Sequence, residues 1–324
     1  MRYSVDDHKG RLAAVEVEDL DWEAFRDQPL DPEALRCIAY MHDVEHHTIC
    51  YLRDVLVTDA HRDHEITSFL TFWAFEEYFH GEALGRVLEA HGEAGSSVRV
   101  PAARIRAGVH DRLMPVYTMI ANRITPHVPA VHMTWGAINE WTAQAAYGRL
   151  AVQAGHPVLS DLLARIKKQE GRHIDFYASQ AERRLASSTT AQRMARVGLK
   201  RFWTPVGAGL MPAAEVDHMA SYLFGNDDGQ AAAARIDRCI DRLPGLAGMN
   251  LVSQRLARLN DSGAPVRSSP TGAERAPAAS ATRRAVRATA LDSRPRSARP
   301  TRTSSVGSVR GERRRCGARR SVAA

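Results

Sequence analysis

Strand signals are nearly missing from this 324-residue chain: nowhere does an apolar–polar alternation last long enough to describe a half-buried strand. That lack excludes sandwiches, barrels and α/β folds and leaves an all-α class. Long apolar runs are missing too. No stretch approaches 18 apolar residues, and the opening MRYSVDDHKG has no apolar core of a signal peptide, so neither a membrane span nor a secretory signal is expected. Cysteine is scarce, and Cys37, Cys50, Cys239 and Cys316 show neither close metal-type pairing nor a disulfide framework. A reduced, cytoplasmic setting is the expectation.

Lysine is absent from residues 263–324, which hold fifteen Arg against three acids, Glu274, Asp292 and Glu312. This stretch carries +12 in a chain of net charge +7, so the 262 residues before it sum to −5. The basic character belongs to the end of the chain, which removes the case for a nucleic-acid-binding body. Large apolar residues are rare there as well, and such a composition cannot bury enough surface to offset its ordering entropy. The expected organisation is a helical domain over 1–262 and a disordered Arg/Ala/Ser/Pro-rich tail over 263–324. The tail reads either as a polyanion-binding arm or as a solvated extension.

Helix signals, by contrast, are plentiful. Residues 1–30 read as a polar lead-in from which Trp22 and Phe25 pack onto the body. Asp31-Pro32-Glu33 is a helix start, with a cap residue, Pro at the first helical position and an acid in the first turn, and predicts a helix over 32–57. Asp63 caps another that reaches His91-Gly92. A shorter helix containing Pro115 is predicted over 106–123. After the break at Thr125–Pro129 a long helix runs to about 154, closed by Gly155, and Pro157 opens one to about 186. Further helices follow over about 189–202, 212–224 and 228–242, with a last turn or helix within 245–260. Long helices joined by short breaks favour a bundle.

Within these helices a Glu-x-x-His step occurs at Glu77/His80 and again at Glu170/His173, which places a carboxylate and an imidazole on one helical face. Each step has a partner Glu at similar distance, Glu45 lying 32 residues before Glu77 and Glu140 lying 30 before Glu170. Their helical neighbours are apolar: Ile38, Met41 and Leu52 around Glu45; Leu70, Trp73 and Leu84 around Glu77; Met133, Ala137 and Tyr147 around Glu140; Leu163, Ile166 and Tyr177 around Glu170. Four carboxylates in four apolar stripes contradict amphipathic patterning, and a buried unpaired carboxylate costs several kcal/mol. Lys167 beside Glu170 is the one charged intruder and the stripes supply no matching set of Arg or Lys, so metal ions are the economical counter-charge. Glu215/His218 forms a third such step but has no partner helix and falls in a first helical turn, where an acid suits the helix dipole. With Glu45 on the apolar face of its helix, His42, His46, His47, His61 and His64 are expected to be mostly solvated. Glu76, beside Glu77 and four residues before His80, is the rival ligand and is assigned to the outer shell.

The pattern of one Glu from each of two helices and Glu-x-x-His from each of two more is that of ferritin-like di-iron bundles. The wording is more specific. Trp73-Ala-Phe-Glu-Glu-Tyr-Phe-His80-Gly81-Glu82-Ala-Leu84, Asn139-Glu140-Trp-Thr142-Ala143 and Gln169-Glu170-Gly-Arg172-His173 resemble the ligand helices of the soluble acyl-[acyl-carrier-protein] desaturases, over about 30–185 closely and 1–260 loosely. The resemblance implies an all-α ferritin-like bundle with additional helices. It implies two iron ions held by Glu45, Glu77, His80, Glu140, Glu170 and His173, with dioxygen as co-substrate. It also implies a ferredoxin-type electron donor, an acyl chain on acyl carrier protein as substrate, and a homodimer of the actinobacterial branch. Outer-shell candidates are Glu76, Gln169, Trp73 and Thr142, and candidate channel lining is Trp73, Phe72, Met133, Ala137, Ala143 and Tyr147. The chain departs from the family at Gln169, where an acid is expected, and at Ala143, where Thr is expected with Thr142 beside it.

Because the carrier protein is acidic, Arg183, Arg184, Arg193, Arg196, Lys200 and Arg201 form either a docking face for it or an ordinary solvated helix face. The rival functions are another di-iron oxidase on the same bundle, such as an N-oxygenase or hydroxylase, and a non-catalytic iron-binding ferritin-like protein.

Overall fold

The computed structural model describes residues 3–263, and the expected tail lies outside them from residue 264 onward. Twelve α-helices and one 3₁₀ turn account for the ordered elements, with no strand among the described residues. The all-α reading holds.

Four long helices carry the architecture: α3 (Pro32–Leu56), α4 (His64–Ala90), α7 (Val128–Ala154) and α8 (Pro157–Ala186). Their ends follow local chemistry. The Asp31 carboxylate accepts from the Ala34 amide at 2.8 Å, and Asp63 accepts from Glu65 and Ile66 at 3.0 and 3.3 Å. Gly155, at φ +62°, ends α7, and Pro157 opens α8 two residues later. Helices α3 and α4 pack as one hairpin, α7 and α8 as a second, and the hairpins meet through α3 against α7 and α4 against α8. Apolar residues surround α7 on all sides because it also touches α6 (Gly108–Ile124), α9 (Thr189–Phe202), α10 (Ala213–Phe224) and α11 (Asp227–Asp241).

Three expectations need correction. The lead-in is not merely polar: α1 (Val5–Lys9) packs on α4 with Tyr3 and His8 buried, and α2 (Ala24–Asp27) buries Phe25. An additional helix, α5 (Ser96–Arg106), precedes α6, and the last helix, α12, spans Leu251–Gly263. Finally, α5 covers a face of α3 that was expected to be wet. His42 and His46 are buried there; the His42 ring sits 3.0 Å from both Asp43 and Ser96 Oγ, while Arg99 and Arg106 pin Asp43 at 2.9 and 2.8 Å. Burial lowers the His46 pKa to about 4. His47 pairs with Asp111 at 3.0 Å, and only His61 and His64 are exposed. No helix among the described residues is long and apolar enough to cross a membrane. Cys37, Cys50 and Cys239 are free thiols.

Candidate metal centre

The hairpin pairing carries the four stripes to one place. Glu45, Glu77, His80 and Glu170 present ligand atoms within 4.8 Å of one another, as do Glu77, Glu140, Glu170 and His173. Glu77 and Glu170 belong to both groups, so the six residues form two adjoining sites bridged by two carboxylates. All six are buried. His80 Nδ1 lies 3.3 Å from Glu77 and 3.4 Å from Glu170, and His173 Nδ1 lies 3.0 Å from Glu170, 3.1 Å from Glu77 and 3.8 Å from Glu140. The i, i+3 spacing on α4 and α8 aims each imidazole along its own carboxylate.

Packing four acids in one dry volume distorts their protonation. Burial, reinforced by the neighbouring carboxylates Glu77 and Glu170, pushes the Glu45 and Glu140 carboxyls well above the usual range. Glu77 and Glu170 stay below it despite burial, through hydrogen bonds that include His173 and His80. Burial alone would lower the histidines, yet their hydrogen bonds to Glu170 and Glu77 raise His80 to about 9 and His173 well above its ordinary value. Protons thus balance the charge of the cluster, and two divalent ions would balance four carboxylates equally. The buried Glu/His groups can hold metal. Carboxylate oxygens with imidazole nitrogens, and no thiolate, suit iron or manganese.

Four of the six residues are held from outside the cluster. Trp73 Nε1 donates to Glu140 Oε1 at 3.0 Å, and the Tyr147 hydroxyl donates to Glu45 Oε1. His80 Nε2 lies 2.8 Å from Gln169 Oε1, and His173 Nε2 lies 2.8 Å from Glu76 Oε2, whose other oxygen accepts from Arg172. Glu76, Gln169 and Trp73 thus each face one residue of the cluster from outside it. Thr142 is different: its hydroxyl donates to the Ile138 carbonyl at 2.7 Å, within its own helix. Glu215 pairs with Arg36 at 2.7 Å and His218 with Glu33 at 3.1 Å, as a helix-terminal arrangement away from the cluster.

The sequence reading missed two participants. Tyr147 stands seven residues after Glu140 on the same face, a spacing that could have suggested a donor rather than plain lining. His8 carries no spacing signal and is treated below.

A cavity of about 200 Å3 meets the four carboxylates at one end. Its walls are Met41, Val44 and Tyr51 of α3, Trp73 of α4, Ala143, Ala146 and Tyr147 of α7, and Tyr177 of α8. Val206, Gly207, Leu210 and Met219 also line it. Of the expected lining, Trp73, Ala143 and Tyr147 are there, whereas Met133 and Ala137 are core residues and Phe72 packs near His8. Among the basic candidates, Arg183 pairs with Glu65 at 2.7 Å, Arg184 with Asp63 at 2.6 Å, and Arg196 donates to the Gly245 and Ala247 carbonyls. Arg193, Lys200 and Arg201 remain exposed on α9.

Comparison of the chain with models of protein families, with curated proteins and with solved structures returns no match in any of the three.

Proposed function

We propose that this chain is a ferritin-like, di-iron, dioxygen-dependent oxidoreductase that desaturates an acyl chain carried on acyl carrier protein. The observation carrying the proposal is a six-residue Glu/His cluster whose four carboxylates line a largely apolar cavity. Iron at Glu45, Glu77, His80, Glu140, Glu170 and His173 would supply the redox chemistry that, with dioxygen and external electrons, removes two hydrogens from adjacent saturated carbons. The protein's own part is orientation and dryness. Trp73 and Tyr147 fix the two single-Glu ligands, and the apolar walls hold a methylene chain straight and exclude water. A hydroxylase or N-oxygenase is the second reading, supported by Gln169, which puts an amide rather than a carboxylate on His80.

A ferredoxin-type donor would supply the electrons, and α9 offers Arg193, Lys200 and Arg201 to an acidic carrier. Reversing those three charges should weaken carrier binding and flatten its salt dependence. The test of the whole proposal is expression in a bacterial host with metal analysis of the protein and lipid analysis of the cells. About two irons per chain with new monoenoic acids supports it. Metal-free protein overturns it, and two irons with unchanged lipids overturns the desaturase part alone.

A further inference from the structure

The N-terminal segment reaches the outer face of the cluster at two points. Ser4 caps α1, its Oγ accepting from the Asp7 amide at 3.2 Å, and this short helix turns His8 inward to full burial. There His8 Nε2 lies 3.0 Å from Glu76 Oε2, the oxygen that also faces His173 Nε2. Tyr3, packed edge-on against Phe176 with ring centroids 4.9 Å apart, puts its hydroxyl 3.0 Å from His8 Nδ1. A hydroxyl donating to Nδ1 leaves the proton on Nε2, aimed at Glu76. Five residues further on, the Ala13 carbonyl accepts from Gln169 Nε2 at 3.1 Å, and Gln169 Oε1 faces His80. One segment therefore supports both outer partners, Glu76 for His173 and Gln169 for His80. Nothing else in the cluster requires an N-terminal residue.

Resting on the two-metal reading, we propose that residues 3–13 form a positioning strap whose docking and metal loading are coupled, with His8 as its positioning residue. The bonds run strap to outer partner to histidine, and each fixes the ring orientation of the next. A histidine turned by its outer hydrogen bond would present an already ordered Nδ1 to a metal; one that is released must be ordered again on binding. Coupling is reciprocal: if the docked strap raises metal affinity by some factor, metal raises strap docking by the same factor. The polar composition of the segment fits this role, since apart from Tyr3 it has little apolar surface to hold it down by burial alone.

The test uses the full chain stripped of metal and titrated anaerobically with ferrous ion. In the wild-type protein, ferrous ion should slow hydrogen exchange at the amides of residues 5–13. His8→Phe keeps a ring in place but removes the donor to Glu76. It should lower ferrous affinity about 10-fold or more and abolish the slowing. His8→Gln, which keeps an N–H donor in reach, should recover most of both. Ferrous affinity unchanged in His8→Phe overturns the proposal, as does wild-type exchange at 5–13 that ignores the metal, a measurement that needs no variant to fold. A wild-type chain that binds no ferrous ion overturns the two-metal reading and the strap with it, and is told apart from the other failures by the wild-type titration alone.

Discussion

Tyr147 and Asp54 show how far a single group can be read. The Tyr147 hydroxyl donates to Glu45 inside the cluster, and burial with Glu45 beside it holds its own pKa well above the usual value, so it remains a donor at any working pH. Tyr147→Phe should leave the fold intact and lower metal affinity about 10-fold, within the range for outer-shell changes; an equilibrium titration with ferrous or manganous ion checks this. Asp54 is buried, its Oδ1 has no hydrogen-bond partner, and burial raises its pKa to about 6. A raised acid binds its proton more tightly in the folded than in the unfolded chain. Its cost is therefore absent below pH ~4, grows as pH rises towards 6, and is fully present above. Asp54→Asn should stabilise the protein by about 2 kcal/mol at pH 7 and by nearly nothing at pH 4. Urea unfolding midpoints of the two proteins across that range read the difference directly.

At the level of elements, glycines decide how close helices and loops come to the cavity. A Cβ on Gly136 of α7 would stand 2.4 Å from the Tyr177 ring of α8, itself fully buried and lining the cavity. Gly136→Ala should cost on the order of 1–3 kcal/mol through overpacking and displace Tyr177, changing the shape of the cavity while leaving the six Glu and His residues in place. Gly207, at φ +88°, lets its loop lie against Val44 and Tyr40, whose hydroxyl donates to the Val206 carbonyl. This loop and the strap mark what the sequence does not disclose. The long helices, their caps and the six clustered Glu and His residues follow from local spacing, because burial contradicts the pattern at Glu45, Glu77, Glu140 and Glu170. The carboxylate geometry also follows, since i, i+3 on a helix is rigid. By contrast, His8 meets Glu76 across 68 residues and Gly207 meets Tyr40 across more than 160, and no periodicity encodes such contacts. The burial of His42 and His46 depends likewise on α5, a helix with three Arg and an internal Pro that lacks strong start signals.

For the whole molecule, α6 raises the question of assembly. Its inner side packs on α3 and α7, with Thr118 buried, yet Val109, Leu113, Val116, Tyr117, Ile120 and Ile124 are 41–79% exposed. These six lie on one stripe about 100° wide, the width of a core-facing helix stripe. The stripe is self-complementary. In an antiparallel pairing centred between Val116 and Tyr117, Val109 meets Ile124 and Leu113 meets Ile120, while Arg112 falls opposite Ala121. An exposed apolar stripe of this kind marks an interaction surface. If the chain forms the expected homodimer, this stripe is where a second copy would sit. Ile120→Arg places two guanidinium groups in that contact and removes no core atom, so the folded protomer should lose less than about 0.5 kcal/mol. Light scattering on the eluting protein should give the mass of two chains for the wild type and of one for the variant, with ferrous stoichiometry per chain unchanged because the cluster lies wholly within one protomer. A wild-type protein with the mass of one chain would remove the pairing, and an Ile120→Arg protein still at the mass of two would move it to another face.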